Sequence, residues 1–216
     1  NAYLMLGNIY YLGKGVNKDY YKAFKYYEKS SHLGNQIAMD ILGTFYMNGI
    51  YVKPNFVKAK YYFELSVSFK NLNSFYNLGC LYLSGELCDI DINKAIQYFK
   101  KCIESKIIIA LITNFNFNIQ TYEYINNDNY YPSYNKLGLI YLLHFNDINS
   151  ANNYIKEAAF AEFPFAQNNY GLLLQFFLNN RINAERMYKR SSEHNFSLAE
   201  FNLGNLYEEN GNIEKA

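Results

Sequence analysis

The chain of 216 residues contains no tryptophan, three prolines, 12 glycines and three cysteines. Each scarcity removes a class of protein. Cys80, Cys88 and Cys102 are too few to staple a disulfide scaffold of this length. Neither a C-x-x-C pair nor a Cys/His cluster at zinc spacing occurs. So little proline and glycine leaves scant material for a turn-rich all-β fold. The longest uninterrupted apolar run is Ile107–Ile112, far short of the ~20 residues a membrane helix requires. No signal-peptide pattern opens the sequence. A dominant charge is missing too: 20 basic residues meet 19 acidic ones for a formal +1. That balance argues against a polybasic surface for nucleic acid or anionic lipid.

What is present is apolar and aromatic. Half the residues are hydrophobic, with 24 Tyr and 17 Phe, and Asn reaches 31. At roughly 150 residues per domain, the length predicts one domain or two small ones. Self-similarity then divides it further. Leu-Gly recurs at Gly7, Gly43, Gly79, Gly138 and Gly204, with Tyr170-Gly171 as a variant, at spacings of 36, 36, 59, 33 and 33. A second landmark follows each glycine, at Ala23, Ala59, Ala95, Ala151, Ala184 and Ala216. Tyrosine stands three residues after glycine at Tyr10, Tyr46, Tyr82, Tyr141 and Tyr207. An aromatic or apolar pair follows alanine by three and four: Tyr26-Tyr27, Tyr62-Phe63, Tyr98-Phe99, Tyr154-Ile155 and Met187-Tyr188.

These offsets are helical. Tyr3, Leu6, Gly7 and Tyr10 share one face, and Ala23, Tyr26, Tyr27 and Ser30 share another. A mid-helix glycine costs about 1 kcal/mol of propensity. Its recurrence predicts close helix approach, where a side chain would clash, and the small landmark alanine fits the same logic. Each unit therefore reads as a helix pair joined by a turn such as Gly13–Asp19. One pair cannot bury both its faces, so the pairs must stack. The predicted fold is all-α, an α-α solenoid of about six helix-pair repeats. About 23 extra residues, Ile107–Tyr130, interrupt the third interval. They divide the array into blocks 1–106 and 131–216 around an Asn/Tyr-rich insertion, 107–130. The first part of that insertion reads as a degenerate helix and the remainder as a loop. Asn1 falls inside a first helix and Ala216 at a landmark alanine, so the array is expected to continue in both directions.

The repeat resembles the Sel-1-like repeat family, relatives of the tetratricopeptide repeat. The first copy carries that pattern at Ala2, Leu6, Gly7, Tyr10, Gly13, Gly15, Val16, Asp19, Lys22, Ala23, Tyr26, Tyr27 and Gly34. The second keeps Gly49, Val52, Lys58 and Ala59 but has Tyr51 for the second loop glycine, and the last three lose the Gly-x-Gly loop. The resemblance implies a right-handed superhelix and a non-enzymatic protein–protein scaffold or adaptor. It also implies that the first helices line a concave face that takes peptide segments or partner proteins. By that analogy Asn8 and Tyr11, then Asp40, Thr44 and Met47, then Tyr76 and Leu83, point into it. Asn135 and Leu139, then Asn168 and Gln175, follow from the later copies, and Leu4, Cys80, Leu142 and Leu172 hold equivalent places. Apolar anchors beside amides suit an extended backbone. Two alternatives within the resemblance are the adaptor subunit of an ER-associated degradation ubiquitin ligase complex and the regulatory arm of a protein kinase encoded elsewhere.

Chemistry is otherwise sparse. Gly13-Lys-Gly15 lacks the third glycine of a phosphate cradle. His32, His144 and His194 lie in different repeats without acid or Cys partners at fixed offsets. Cys102 stands at helical spacing from Ala95, Tyr98 and Phe99 and reads as a small core residue. No catalytic residue, cofactor, metal, nucleic acid or small-molecule substrate is expected. The single sequon, Asn195-Phe196-Ser197, is what 31 asparagines give by chance, and cytoplasm ranks ahead of the ER lumen.

Overall fold

The computed structural model describes residues 2–69, 71–86, 89–115, 130–209 and 211, with backbone alone for 106–115. Eleven α-helices and no strand occur among the described residues. The chain separates into two compact units, Asn1–Ile125 and Asn126–Ala216. In the first, α1 (Ala2–Leu12) pairs with α2 (Tyr20–His32), α3 (Gln36–Asn48) with α4 (Phe56–Val67), and α5 (Leu72–Ser84) with α6 (Ile92–Phe115). In the second, α7 (Tyr130–Phe145) pairs with α8 (Ile148–Phe160) and α9 (Pro164–Phe176) with α10 (Arg181–Ser192). There α11 (Ser197–Glu209) packs on α10. Each of the first five predicted repeats is thus a helix pair, the sixth shows its first helix, α11, among the described residues, and neighbouring repeats stack within each unit. The apolar start of the expected insertion, Ile107–Ile112, is the continuation of α6; residues 116–129 of that insertion lie outside the described residues.

One local device sets the angle within every pair. The residue before each second helix is its N-cap: Asp19, Asn55, Asp147 and Asn180 each accept from the backbone N–H three residues on. Asp91 does the same for Lys94. The cap's own N–H donates back to the first helix, Asp19 to the Tyr10 carbonyl at 2.9 Å, Asn55 to Tyr46 at 2.8 Å, and Asp91 to Tyr82 at 3.0 Å. Asp147 to Tyr141 and Asn180 to Leu174 repeat it. A side chain thereby starts one helix while its backbone satisfies an orphan carbonyl of the other.

Glycine makes the close approach. Gly7, Gly43, Gly79 and Gly171 lie directly beneath the rings of Tyr27, Phe63, Phe99 and Tyr188, the residues four after the landmark alanine. A Cβ on Gly43 would fall 2.5 Å from Phe63 Cε1, and one on Gly171 2.5 Å from Tyr188 Cε1. Gly138 meets Ile155 instead. The landmark alanines 23, 59, 95, 151 and 184 are all wholly buried. Around these joints gather two cores, one holding Phe24, Leu42, Phe45, Leu78 and Leu81, the other Tyr170, Leu173, Met187 and Leu206.

The tyrosine after the Leu-Gly pair lies flat on the first tyrosine after alanine. Tyr10 stacks on Tyr26 at 5.6 Å, Tyr46 on Tyr62 at 5.6 Å, Tyr82 on Tyr98 at 5.6 Å and Tyr141 on Tyr154 at 5.5 Å, all within about 10° of parallel. Over the ring that follows glycine sits the lysine before the landmark alanine: Lys22, Lys58 and Lys94 hold their ammonium 5.0–5.1 Å from the centroids of Tyr10, Tyr46 and Tyr82. Lys-Ala is therefore a structural dipeptide, the alanine packing inward and the lysine covering a ring. The lost loop glycine has a compensation too. Tyr51 adopts φ +65° where Gly15 has +74°, a costly conformation for a bulky residue. Its ring rests on Tyr21 and Phe24 at 5.3 and 5.6 Å.

Candidate functional site

The first helices carry all eleven residues expected to face a partner. Polar rungs join α3 to α5, α7 to α9 and α9 to α11, and four of the eleven lie in them. Asp40 on α3 accepts at Oδ1 from Ser74 Oγ at 2.7 Å and from Asn77 Nδ2 at 3.0 Å, both on α5. Asn135 accepts from Asn169 Nδ2 at 3.1 Å and Asn168 from Asn202 Nδ2 at 2.8 Å. The positions are the same each time: the residue three before glycine in one repeat meets the asparagine two before glycine in the next. Gln175 donates to Glu209 at 3.2 Å and accepts the Tyr188 hydroxyl at 2.8 Å. Asp40, Asn135, Asn168 and Gln175 are all buried. Their amide and carboxylate groups hold repeats together, a use that the spacing did not reveal.

The other seven stand farther out. Asn8 is exposed and accepts the Tyr27 hydroxyl at 2.9 Å. Tyr11 is half-buried, tilted against Phe45 and Tyr20. Thr44 donates to the Asp40 carbonyl at 3.1 Å, and Met47 packs at the edge of the core. Tyr76 leans on Phe99 at 5.7 Å, and Leu83 is half-buried. Burial raises the hydroxyl pKa of Tyr27, Tyr76 and Tyr188, so these tyrosines stay neutral donors. Leu139 joins Leu142, Leu143, Leu172, Phe176 and Phe177 around an open apolar groove of about 440 Å³ between α7 and α9. Phe176 and Leu143, 63% and 71% exposed, flank the groove and had not stood out in the repeat pattern.

Charge is partitioned sharply in the first unit. The first helices α1, α3 and α5 contain no Lys or Arg and one acid, Asp40. Lysines cluster on the second helices and loops, Lys25 paired with Glu28 and Lys60 with Glu64. Asp40 has its carboxyl pKa raised, chiefly by burial, with the Ser74 and Asn77 hydrogen bonds opposing.

The residues weighed for chemistry do not converge. His32, His144 and His194 are exposed on separate helices or loops. Cys102 is wholly buried at the landmark +7 position, where its thiol donates to the Leu72 carbonyl; Ser66 and Ser191 make the same hook to Gln36 and Pro164. Cys88 lies outside the described residues. Among the described residues no three His, Cys, Asp or Glu side chains are grouped to hold a metal ion, and no helix is long and apolar enough to cross a membrane.

The Sel1 repeat family matches residues 1–35, 36–68 and 76–104. A Sel1 repeat protein from Oxalobacter formigenes superimposes with a TM-score of 0.76 at 22% identity, covering 95% of this chain and 77% of that one. Two immunity proteins from Pseudomonas aeruginosa follow. One has a TM-score of 0.57 at 14% identity, covering 91% of this chain and 68% of its own. The other has 0.55 at 16%, covering 86% and 64%. No curated protein matches the chain by sequence.

Proposed function

Because this chain carries Sel1 repeats in its first unit and its described residues fold as stacked helices, mostly in pairs, we propose that it is a non-enzymatic protein–protein interaction scaffold. Its partner segments bind along the first helices. One observation supports the reading most directly. Tyr11, Thr44, Met47, Tyr76 and Leu83 are half-buried: they meet neighbouring side chains but are not enclosed by them. Glycine, the rung asparagines and the stacked tyrosines make the main helix joints, so the open part of these side chains is available to a partner. Partly open aromatic and thioether groups lose little rotamer entropy on contact and bury much apolar area. Flanking Asn8 and Thr44 offer polar groups to a peptide backbone.

The test is site-specific photo-crosslinking. A photoreactive residue replaces Tyr11 or Tyr76 on α1 or α5, and Tyr61, 59% exposed on α4, serves as the comparison. Partner adducts at 11 and 76 are expected; adducts at 61 alone would remove the first-helix face from consideration.

A further inference from the structure

We propose that Asp40 is the recognition point for a cationic side chain, Lys or Arg, of a peptide lying on the first helices of the first unit. The proposal rests on the interaction-scaffold reading above and names the chemistry of its partner.

The repeats themselves supply an internal comparison. Three rungs occupy the position three before the repeat glycine, and two of them are amides: Asn135 accepting from Asn169, and Asn168 accepting from Asn202. An amide makes this joint without a net charge. Asp40 makes it with a carboxylate that is 8% exposed, and burying an unpaired charge is expensive. No Lys, Arg or His of the described residues forms an ion pair with it. The elements packed on it bring the Ser74 hydroxyl and the Asn77 amide, and no cation. The charge is thus surplus to the rung.

Its geometry is also one-sided. Ser74 and Asn77 both reach Oδ1, and Oδ2 receives no hydrogen bond from the described residues. The fully enclosed polar atoms without a partner are Asn152 Oδ1 and Gln167 Oε1; Oδ2 is not among them, so it opens to the surface. Asp40, Thr44 and Met47 lie at i, i+4 and i+7 on α3, one stripe of the helix. A face without Lys or Arg, bearing this one fixed acid beside a thioether, complements a basic residue with apolar neighbours. Among the described residues the lysines of the first unit lie on its second helices and loops, and none pairs with Asp40. A guanidinium or ammonium at Oδ2 would make a charge-assisted hydrogen bond at a site already desolvated and held by two donors.

A random peptide library panned against the whole chain tests this. Enriched peptides are expected to share a Lys or Arg at one fixed position with apolar residues beside it. A synthetic copy should bind Asp40→Asn at least about tenfold more weakly than the parent. Replacing its basic residue by norleucine should cost the same factor on the parent and nothing further on Asp40→Asn. The peptide-side change needs no protein variant, so the test survives should Asp40→Asn fail to fold. Enriched peptides without a fixed basic residue, or equal binding to both chains, would overturn the proposal. If Tyr11→Ala or Met47→Ala still abolished that binding, the first-helix reading would stand without it. No enrichment, or binding indifferent to Tyr11, Met47 and Asp40 alike, would sink both.

Discussion

Replacing Gly43 by alanine sets two physical effects against each other. Helix propensity favours alanine over glycine by about 1 kcal/mol, so a glycine with free space around it would gain from the change. Gly43 has none. The added Cβ falls 2.5 Å from Phe63 Cε1 and 2.6 Å from Cδ1, where carbon contacts are optimal near ~3.5–4.0 Å. Phe63 is wholly buried, so its ring has nowhere to turn and α4 must move off α3 by roughly 1 Å. Overpacking costs about 1–3 kcal/mol, and contacts this short belong at the upper end. The expected net effect is a loss of about 2 kcal/mol. Urea unfolding followed by helical circular dichroism reads it. With a slope of roughly 1–3 kcal/mol per molar urea, the midpoint should fall by about 1 M. The paired variant Gly43→Ala with Phe63→Leu should recover at least about 1 kcal/mol of coupling in a double-mutant cycle. A higher midpoint for Gly43→Ala, or additive behaviour in the cycle, would refute the close-approach account of the repeat glycine.

Three further outcomes follow from other joints. Asn55→Ala removes the cap on the Lys58 amide and should cost about 1 kcal/mol in the same urea assay; Asn93→Ala, exposed in the first turn of α6, removes no capping side chain and should sit near zero. The carboxyl of Asp40 has its pKa raised above 3.8 on folding, so between that value and its folded pKa the native state holds more protons than the unfolded one. Stability contributed by this group therefore falls as pH rises through that window, and Asp40→Asn should flatten the slope and melt higher at neutral pH. Cys102 should resist iodoacetamide in the native chain and react once urea unfolds it, as peptide mapping would report; prompt native labelling would contradict its burial.

Much of the fold was legible because repeats display it several times over. A helix places residues three and four apart on one face whatever lies beside it, so the Leu-Gly and Ala landmarks were enough to predict paired helices, close approach at glycine and burial of Cys102. The repeat departures were readable as positions and unreadable as consequences. Tyr51 could be seen to replace a glycine, but its support by Tyr21 and Phe24 comes from the neighbouring pair. The candidate face divided along the same line. Tyr11, Met47 and Leu83 are half-buried on first helices. Asp40, Asn135, Asn168 and Gln175 have the same periodicity yet are drawn into rungs, because an asparagine, serine or glutamate about 34 residues away arrives opposite them.

By itself, then, the sequence determined the helix-pair repeat, its period, and which residue in each helix meets a partner helix. Those follow from backbone geometry, which is local. Only the tertiary structure decided that the recurring tyrosines stack in pairs under a lysine, that Phe176 and Phe177 join five leucines around a groove, and that one buried acid keeps an open oxygen on a face without Lys or Arg. Such facts depend on where helices tens of residues apart come to rest, and packing sets that.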